Sequence, residues 1–261
     1  MKTQMVFNKL QTDIVLTKGQ IQDFRRQGYL VVLGGYSKAD ASLIQCWSDE
    51  LIALPEESGK HWVYRERHQQ NNNTSLIERI EKISPFHCGF QSLSNSLKRP
   101  VRQLLGEEPV LFKEKINFKM PGGGGFKPHQ DIQAGWDQYA DFFINAFVSI
   151  DESTIQNGCL EICTMPKNKK LYRSWQPISS AEAGQLHFLP VETNPGDLIF
   201  FDCFTIHRSS DNLSQKARRI YYATYNKYSA GDHLEQYYSD KHKSYPPDID
   251  RLDSSEYTFL V

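Results

Sequence analysis

The sequence predicts an α+β protein, with helices first and an antiparallel β-sandwich or barrel after them. Three observations carry this. The opening third shows one-sided apolar stripes bounded by helix start and stop signals. From residue 110 onwards, short runs rich in β-branched and aromatic residues replace them. Turn signals separate those runs with no helices interleaved, unlike the alternating pattern of a parallel α/β sheet.

Thr17 is a good N-cap ahead of Ile21, Phe24 and Arg25, and Gly28 stops that helix before a short strand over 29–33. Ser37 caps a second helix, on which Leu43, Ile44, Trp47, Leu51 and Ile52 form one apolar stripe. A third helix covers 91–105 and ends at Gly106. Strands follow over 110–120, 142–150, 159–163, 198–203 and 219–228. The breaks are turn sequences: Pro121 to Gly125, Asn157-Gly158, and Asn194-Pro195-Gly196-Asp197. Gly122-Gly123-Gly124-Gly125 lacks the Gly-Lys-Ser/Thr ending of a phosphate loop and reads as a flexible loop at a barrel rim. The tail over 245–251, stiffened by Pro246 and Pro247, reads as extended.

A chain of 261 residues is long enough for one large domain with a buried core. Its 30 basic and 31 acidic residues leave a formal net charge of -1, which removes the bulk electrostatic footprint of a nucleic-acid binder. No stretch approaches the roughly 18 apolar residues of a membrane span. Met1-Lys2-Thr3-Gln4 lacks the apolar run of a secretory leader. Cys46, Cys88, Cys159, Cys163 and Cys203 are odd in number and widely spaced, which favours free thiols in a reducing compartment. A cytoplasmic protein with a small-molecule substrate, binding neither nucleic acid nor membrane, is expected.

The chemistry concentrates at His129-Gln130-Asp131. On an extended strand residues i and i+2 point to one side, so the imidazole and the carboxylate can meet one metal ion. A histidine from another strand would complete the two-His, one-carboxylate triad that leaves positions open on Fe(II). His207, which follows the apolar run Leu198-Ile199-Phe200-Phe201, is the candidate. The pair alone decides little. With eight histidines and 31 acidic residues, chance gives roughly one His-x-Asp/Glu match, and His233-Leu234-Glu235 is a decoy without such surroundings. Arg218, eleven residues beyond His207, could take the distal carboxylate of 2-oxoglutarate as a bidentate pair. Arg219 points to the other face of the strand.

Segments in order along the chain resemble the phytanoyl-CoA dioxygenase superfamily. Residues 16–30 resemble its N-terminal helix and strand. Ile116-Asn117-Phe118-Lys119-Met120-Pro121-Gly122-Gly123 through His129-Gln130-Asp131 resembles its first metal-ligand region. Asn157-Gly158-Cys159-Leu160 resembles a characteristic turn, and Pro195 to Phe201, with His207, Ser209 and Arg218, resembles the distal half. The resemblance implies a double-stranded β-helix (jelly-roll, cupin-like) core with N-terminal helices packed outside. It implies Fe(II), with 2-oxoglutarate and O2 as cosubstrates. One oxygenase domain would span 1–261: a mainly helical flank to 108, a core over 109–230, and a C-terminal extension over 231–261.

Carried over position by position, His129, Asp131 and His207 would ligate iron at the catalytic centre. Arg218 would bind the C5 carboxylate of 2-oxoglutarate, with Ser209 close beside it and Asn117 in contact. Strand alternation then places Lys113, Lys115 and Asn117 on one face, opposite Phe112, Ile116 and Phe118. Two buried lysines call for an anionic counterpart, so Lys113 is assigned to the cosubstrate and Lys115 to the substrate. Retention of Asp131 argues for hydroxylation over halogenation, because related halogenases lack this carboxylate.

Lys127, Gln133 and Trp136 join Lys115 as candidate substrate contacts, and Tyr64, Arg65 and Arg67 are weaker ones; His187 reads as a packed histidine. The segment 122–131 and the tail resemble the small-metabolite branch of the superfamily. That branch contains natural-product tailoring enzymes, such as the hydroxylase of 7-deoxycylindrospermopsin, and hydroxylases of aminoalkylphosphonates. The first expectation is hydroxylation of an unactivated C–H bond in a tailoring step. An aminoalkylphosphonate or similar zwitterion is the alternative substrate. A non-catalytic jelly-roll binding module and a metal-dependent hydrolase or isomerase are the readings from other classes.

Overall fold

The computed structural model describes residues 10–164, 171–176, 178–252 and 257. Residues 1–4, read above for a leader, lie outside the described residues.

Local signals set the first elements. Helix α1 (Lys18–Gln27) starts at Thr17, whose hydroxyl accepts from the Gln20 amide while Gln20 bonds back to the cap. It ends at Gly28, whose φ of 82° few other residues tolerate. Strand β1 (Tyr29–Val32) follows, then α2 (Lys38–Ala53), capped by Ser37. The hairpin β2 (Trp62–His68) and β3 (Asn71–Glu81) precedes α3 (Cys88–Leu105), which Gly106 ends. The remaining strands are β4 (Pro109–Lys119), β5 (Phe126–His129), β6 (Phe143–Ser149), β7 (Leu160–Cys163), β8 (Phe188–Val191), β9 (Leu198–Asp202), β10 (His207–Ser209) and β11 (Arg218–Lys227). A short α4 (Ser180–Ala183) precedes β8, and α5 (Leu234–Ser244) follows β11.

The strands form two antiparallel sheets, one ordered β1-β9-β6-β11-β4-β3-β2 and the other β5-β10-β7-β8. This is the expected jelly roll. The large sheet is buried on both faces, which explains the near-continuous apolar run of β9. Leu198 and Phe200 pack with Val148, Tyr221 and Ala223 against the N-terminal helices. Ile199 and Phe201 point the other way and meet Leu160, Ile162 and Val191 of the small sheet. Each such side chain contributes about 1.5–3 kcal/mol by leaving water. A third cluster, with Trp62, Phe112, Trp136, Phe143 and Tyr237, sits under α5 at one end of the barrel.

Three features differ from the sequence reading. The β2–β3 hairpin was not anticipated, so the first 108 residues supply three strands to the large sheet as well as the helical flank. Helix α5 was not anticipated either, and the tail, expected to be extended, turns into a 3-10 helix at Asp248–Asp250. Phe112 does not share the helix-facing side with Ile116 and Phe118. The β4–β11 register slips between Thr224 and Tyr225, whose partners are Lys113 and Leu111, and this bulge turns Phe112 toward Trp136 and Tyr237. All five cysteines are free, and no described helix is long and apolar enough to cross a membrane.

The helical layer is closely fitted to the sheet. Gly89 on α3 lies against the Trp47 indole of α2, and an added methyl would overlap that ring. Gly89→Ala should therefore destabilise the fold by about 1–3 kcal/mol through overpacking, measured by denaturant unfolding. A stability equal to that of the parent would show that the α2–α3 contact yields easily.

Candidate active site

Strands β5 and β10 of the small sheet bring two histidines face to face. His129 and His207 are register partners, with ring centroids 4.3 Å apart. Asp131 was expected on the same strand as His129, but β5 ends at His129 and Asp131 opens a 3-10 turn, Asp131–Ala134. Gln130 between them keeps extended backbone (φ -106°, ψ 137°), so the i, i+2 relation survives the change of element. The carboxylate oxygens lie 3.8 Å from His129 Nε2 and 3.9 Å from His207 Nε2. One donor atom from each of the three residues falls within 4.8 Å of the others, and no other such group exists among the described residues.

Backbone carbonyls orient both rings. His129 Nδ1 lies 2.7 Å from the Lys127 carbonyl and His207 Nδ1 lies 3.0 Å from that of Thr205. These contacts place a proton on each Nδ1 and leave both Nε2 lone pairs facing the carboxylate. Burial, with His207 alongside, pushes His129 down to about 4, so its imidazole is neutral and ready to coordinate. Burial alone would raise Asp131, but His207, His129 and Lys115 outweigh it and hold the carboxyl below its usual range. Asn145 Nδ2 donates to Asp131 at 2.8 Å, and Thr224 donates to Asn145 at 2.6 Å. Two imidazoles and one fixed carboxylate suit Fe(II) and leave half of an octahedral sphere free.

Beside the triad, a narrow cleft holds Asn117, Ser209, Arg218 and Tyr222. Arg218 is 2% exposed, has no ion pair among the described residues, and its Nε has no hydrogen-bond partner. Burial weakens the hold of its guanidinium on its proton, offset in part by Tyr222 and Cys159. A buried guanidinium without a counter-charge is costly, so a carboxylate suits this position. Arg219 lies on the opposite face, held by Asp151 and Asp49. Ser209 accepts from Lys119 Nζ at 2.7 Å, so Lys119, which sequence reasoning passed over, holds a cleft residue from behind. It shares the parity of Lys113, Lys115 and Asn117, and that signal was available.

A larger cavity of about 660 Å³ opens on the other side of His129 and Asp131. Lys113, Lys115 and Trp136 line it, and Phe126 and Lys115 border both spaces. Lys113, which the sequence reading assigned to the cosubstrate, therefore faces the cavity and does not line the cleft with Arg218. Lys127 is exposed and lines neither space; only its carbonyl takes part, through His129. Gln133 is fully buried, and its amide donates to the Arg173 and Gln176 carbonyls at 2.7 and 2.5 Å. Tyr64 is buried in a stack on Tyr245, Arg65 pairs with Glu56, and Arg67 is exposed. The four glycines are pinned: Gly122 to Asn212, Gly123 to Met120 and Asn212, Gly124 to Glu66 and Gly125 to Asp211. Arg79, Tyr237 and Lys241 also line the cavity, on the two elements that the sequence did not reveal.

A jelly roll with this donor set at its mouth belongs to the non-haem iron, 2-oxoglutarate-dependent oxygenases. The chain is a member of the phytanoyl-CoA dioxygenase (PhyH) family, whose sequence pattern matches residues 24–220. It is similar to a 2-aminoethylphosphonate dioxygenase from the uncultured bacterium HF130_AEPn_1, with 33% identity over 93% of this chain and 94% of that one. It is also similar to a methylphosphonate hydroxylase from Gimesia maris, at 33% identity over 88% of each chain. The crystal structure of EctD from S. alaskensis with 2-oxoglutarate and 5-hydroxyectoine shares the fold, with a TM-score of 0.65 and 23% identity over 86% of this chain and 81% of that one. The binding-module and hydrolase readings are set aside.

Gln130 and Gln133 tie the turn carrying Asp131 to the cavity wall. Gln130 accepts from the Tyr172 amide and Gln133 holds the carbonyls of Arg173 and Gln176, while the Trp175 amide donates to the Gln133 carbonyl. Gln133→Leu removes the donor to two loop carbonyls and the acceptor of the buried Gln130 amide, and should cost about 1–3 kcal/mol. Amide exchange at Tyr172 and Trp175 should quicken more than exchange in β9; equal protection in the variant would sink the tethering role.

Proposed function

We propose that this chain hydroxylates a small phosphonate, 2-aminoethylphosphonate or a close analogue, using iron held by His129, Asp131 and His207. The carrying observation is the convergence of those three side chains beside a buried, unpaired arginine. The phosphonate reading, given above as the alternative to natural-product tailoring, is favoured by the two relatives that match at 33% identity over most of both chains. Iron and 2-oxoglutarate, when bound, supply the oxygen-activating chemistry that ends in succinate, CO2 and a hydroxylated product.

The residues of this chain bind, orient and shield. The Lys127 and Thr205 carbonyls hold the two imidazoles with Nε2 toward the metal position. Asn145 fixes one Asp131 oxygen and leaves the other for coordination. Arg218 pairs with the C5 carboxylate of 2-oxoglutarate, and Ser209, held by Lys119, borders the same end of the cleft. Trp136, Tyr139 and Tyr237 wall the cavity and limit water at the reacting carbon. Residues 1–261 act as one oxygenase domain, and the free thiols suit a cytoplasmic location.

Purified protein given Fe(II), 2-oxoglutarate, O2 and 2-aminoethylphosphonate should form succinate and a hydroxylated phosphonate in equal amounts, read by phosphorus NMR. Failure with every small phosphonate, while 2-oxoglutarate is still consumed, would overturn the substrate reading. Arg218→Ala removes a desolvated partner of a carboxylate, a loss of about 2–5 kcal/mol. The KM for 2-oxoglutarate should rise at least about 30-fold, and an unchanged value would remove Arg218 from its role.

A further inference from the structure

The cavity beside the metal position carries more positive charge than its walls neutralise. Arg79, Lys113, Lys115 and Lys241 all line it. Arg79 is 1% exposed and Lys113 6%, and the Lys241 side chain is 10% exposed. Glu81, wholly buried behind this wall, bonds Lys241 at 2.6 and 2.7 Å and lies 3.2 Å from Arg79 Nε. Burial alone would push Glu81 up, but Lys241, Lys113 and Arg79 outweigh it and hold its carboxyl far below the usual range. Its charge is spent on that network. Asp131 belongs to the metal, and Asp240 at the rim is taken up by Tyr139, Gln236 and Lys243.

Lys113 and Lys115 are left over. The Lys113 ammonium has three donors and, among the described residues, one hydrogen-bond partner, the Tyr237 hydroxyl at 3.0 Å; it otherwise faces the rings of Trp136 and Tyr237. Lys115 has no hydrogen bond or ion pair with any described residue and sits 5.1 Å from the Tyr222 ring centroid. Burial, with Lys113 and Arg79 nearby, pushes Lys115 down to about 7. Glu81 and Asp131 act on these two lysines only through space and bond neither of them, so two neighbouring cations, one buried and one half-buried, face the cavity without a contacting anion, which is unfavourable. A ligand carrying two negative charges on a compact head removes that penalty, and a single carboxylate removes only part of it.

We infer that Lys113 and Lys115 form the receptor for the dianionic phosphonate head of the substrate, backed by the fixed Arg79–Glu81–Lys241 network. This rests on the phosphonate reading above and adds to it which residues choose a dianion. The two lysines are neighbours on one face of β4, so the head group is gripped by a strand and not by a loop. Lys115 also borders the cleft, which places the bound head beside the metal ligands.

The test titrates methylphosphonate into protein loaded with Fe(II) and 2-oxoglutarate without oxygen, read by tryptophan fluorescence, because the Lys113 ammonium lies 5.1 Å from the Trp136 ring. Lys113→Met and Lys115→Met should each raise the Kd for methylphosphonate at least about tenfold, the loss of one charge-assisted contact. Lys→Arg at either position should recover part of that loss, and the Kd of 2-oxoglutarate alone should stay within about threefold. Wild-type protein supplies an arm that no folding defect can spoil: methylphosphonate should bind at least about tenfold tighter than its monoanionic monomethyl ester. Equal binding of the ester overturns the receptor. So does a rise in the 2-oxoglutarate Kd with methylphosphonate unaffected, which would give the lysines to the cosubstrate. If wild-type protein binds 2-oxoglutarate but neither phosphonate, the substrate reading itself falls; if it binds methylphosphonate and the Met variants do too, only the lysine assignment falls.

Discussion

The pairing of His129 with His207 across β5 and β10 is the constraint on which the rest of the site depends. Two short strands of a four-stranded sheet set two imidazoles at van der Waals distance, and carbonyls two residues upstream of each fix the ring tautomers. Phe201 of the large sheet packs behind His207, with ring centroids 4.9 Å apart, so the inter-sheet core supports the metal position directly. Asp131 then needs only one extended residue to reach the same point. Its 3-10 turn is held from both sides, by Asn145 on the large sheet and by the bonds of its own Gln130 and Gln133 to the loop over 172–176. A metal site built on paired strands keeps its geometry without relying on mobile loops.

Charge is arranged in three tiers around that centre. The triad contributes one negative charge, Arg218 contributes one unpaired positive charge on the cleft side, and the cavity side contributes a surplus of ammonium groups. Each tier is buried, so each is strongly felt and each is expensive alone. The fold tolerates this because the ligands complete the balance. In the proposed function a dicarboxylate would offset Arg218 and the metal, and a phosphonate would offset the lysines. Stability and binding are thus linked: bound ligands should stabilise this protein more than their contact area alone suggests.

The fold was legible wherever one physical rule acted alone. Thr17, Gly28, Ser37 and Gly106 declared the ends of α1, α2 and α3, since caps and left-handed turns are local. The strand β9 was legible because burial on both faces removes every polar residue from Leu198 to Phe201. The triad residues stood out through their surroundings and the resemblance of the flanking segments, since His233-Leu234-Glu235 has the same spacing. Lys127 and Gln133 were misplaced because sequence proximity to a metal ligand says nothing about which way the chain turns after β5. The β2–β3 hairpin stayed hidden for a related reason. Arg79 and Glu81 occupy inward positions where a strand ordinarily shows apolar residues, so its pattern reads as polar and irregular.

That last failure is informative about function. A buried arginine and a buried glutamate in one strand interior cost several kcal/mol compared with an apolar pair of similar volume. The Arg79–Glu81–Lys241 network is therefore a poor choice for stability, and it sits nowhere else than against the cavity beside the metal position. It joins β3 to α5, two elements that come from opposite ends of the chain, and so closes the cavity with charge where the aromatic cluster around Trp136 and Tyr237 closes it with packing. Polar residues that break the binary pattern of a strand mark the ligand side of this protein, and the same reasoning applies to Asn145 in the apolar strand β6, which orients Asp131. In both strands the departure from a simple core is where the chemistry is held.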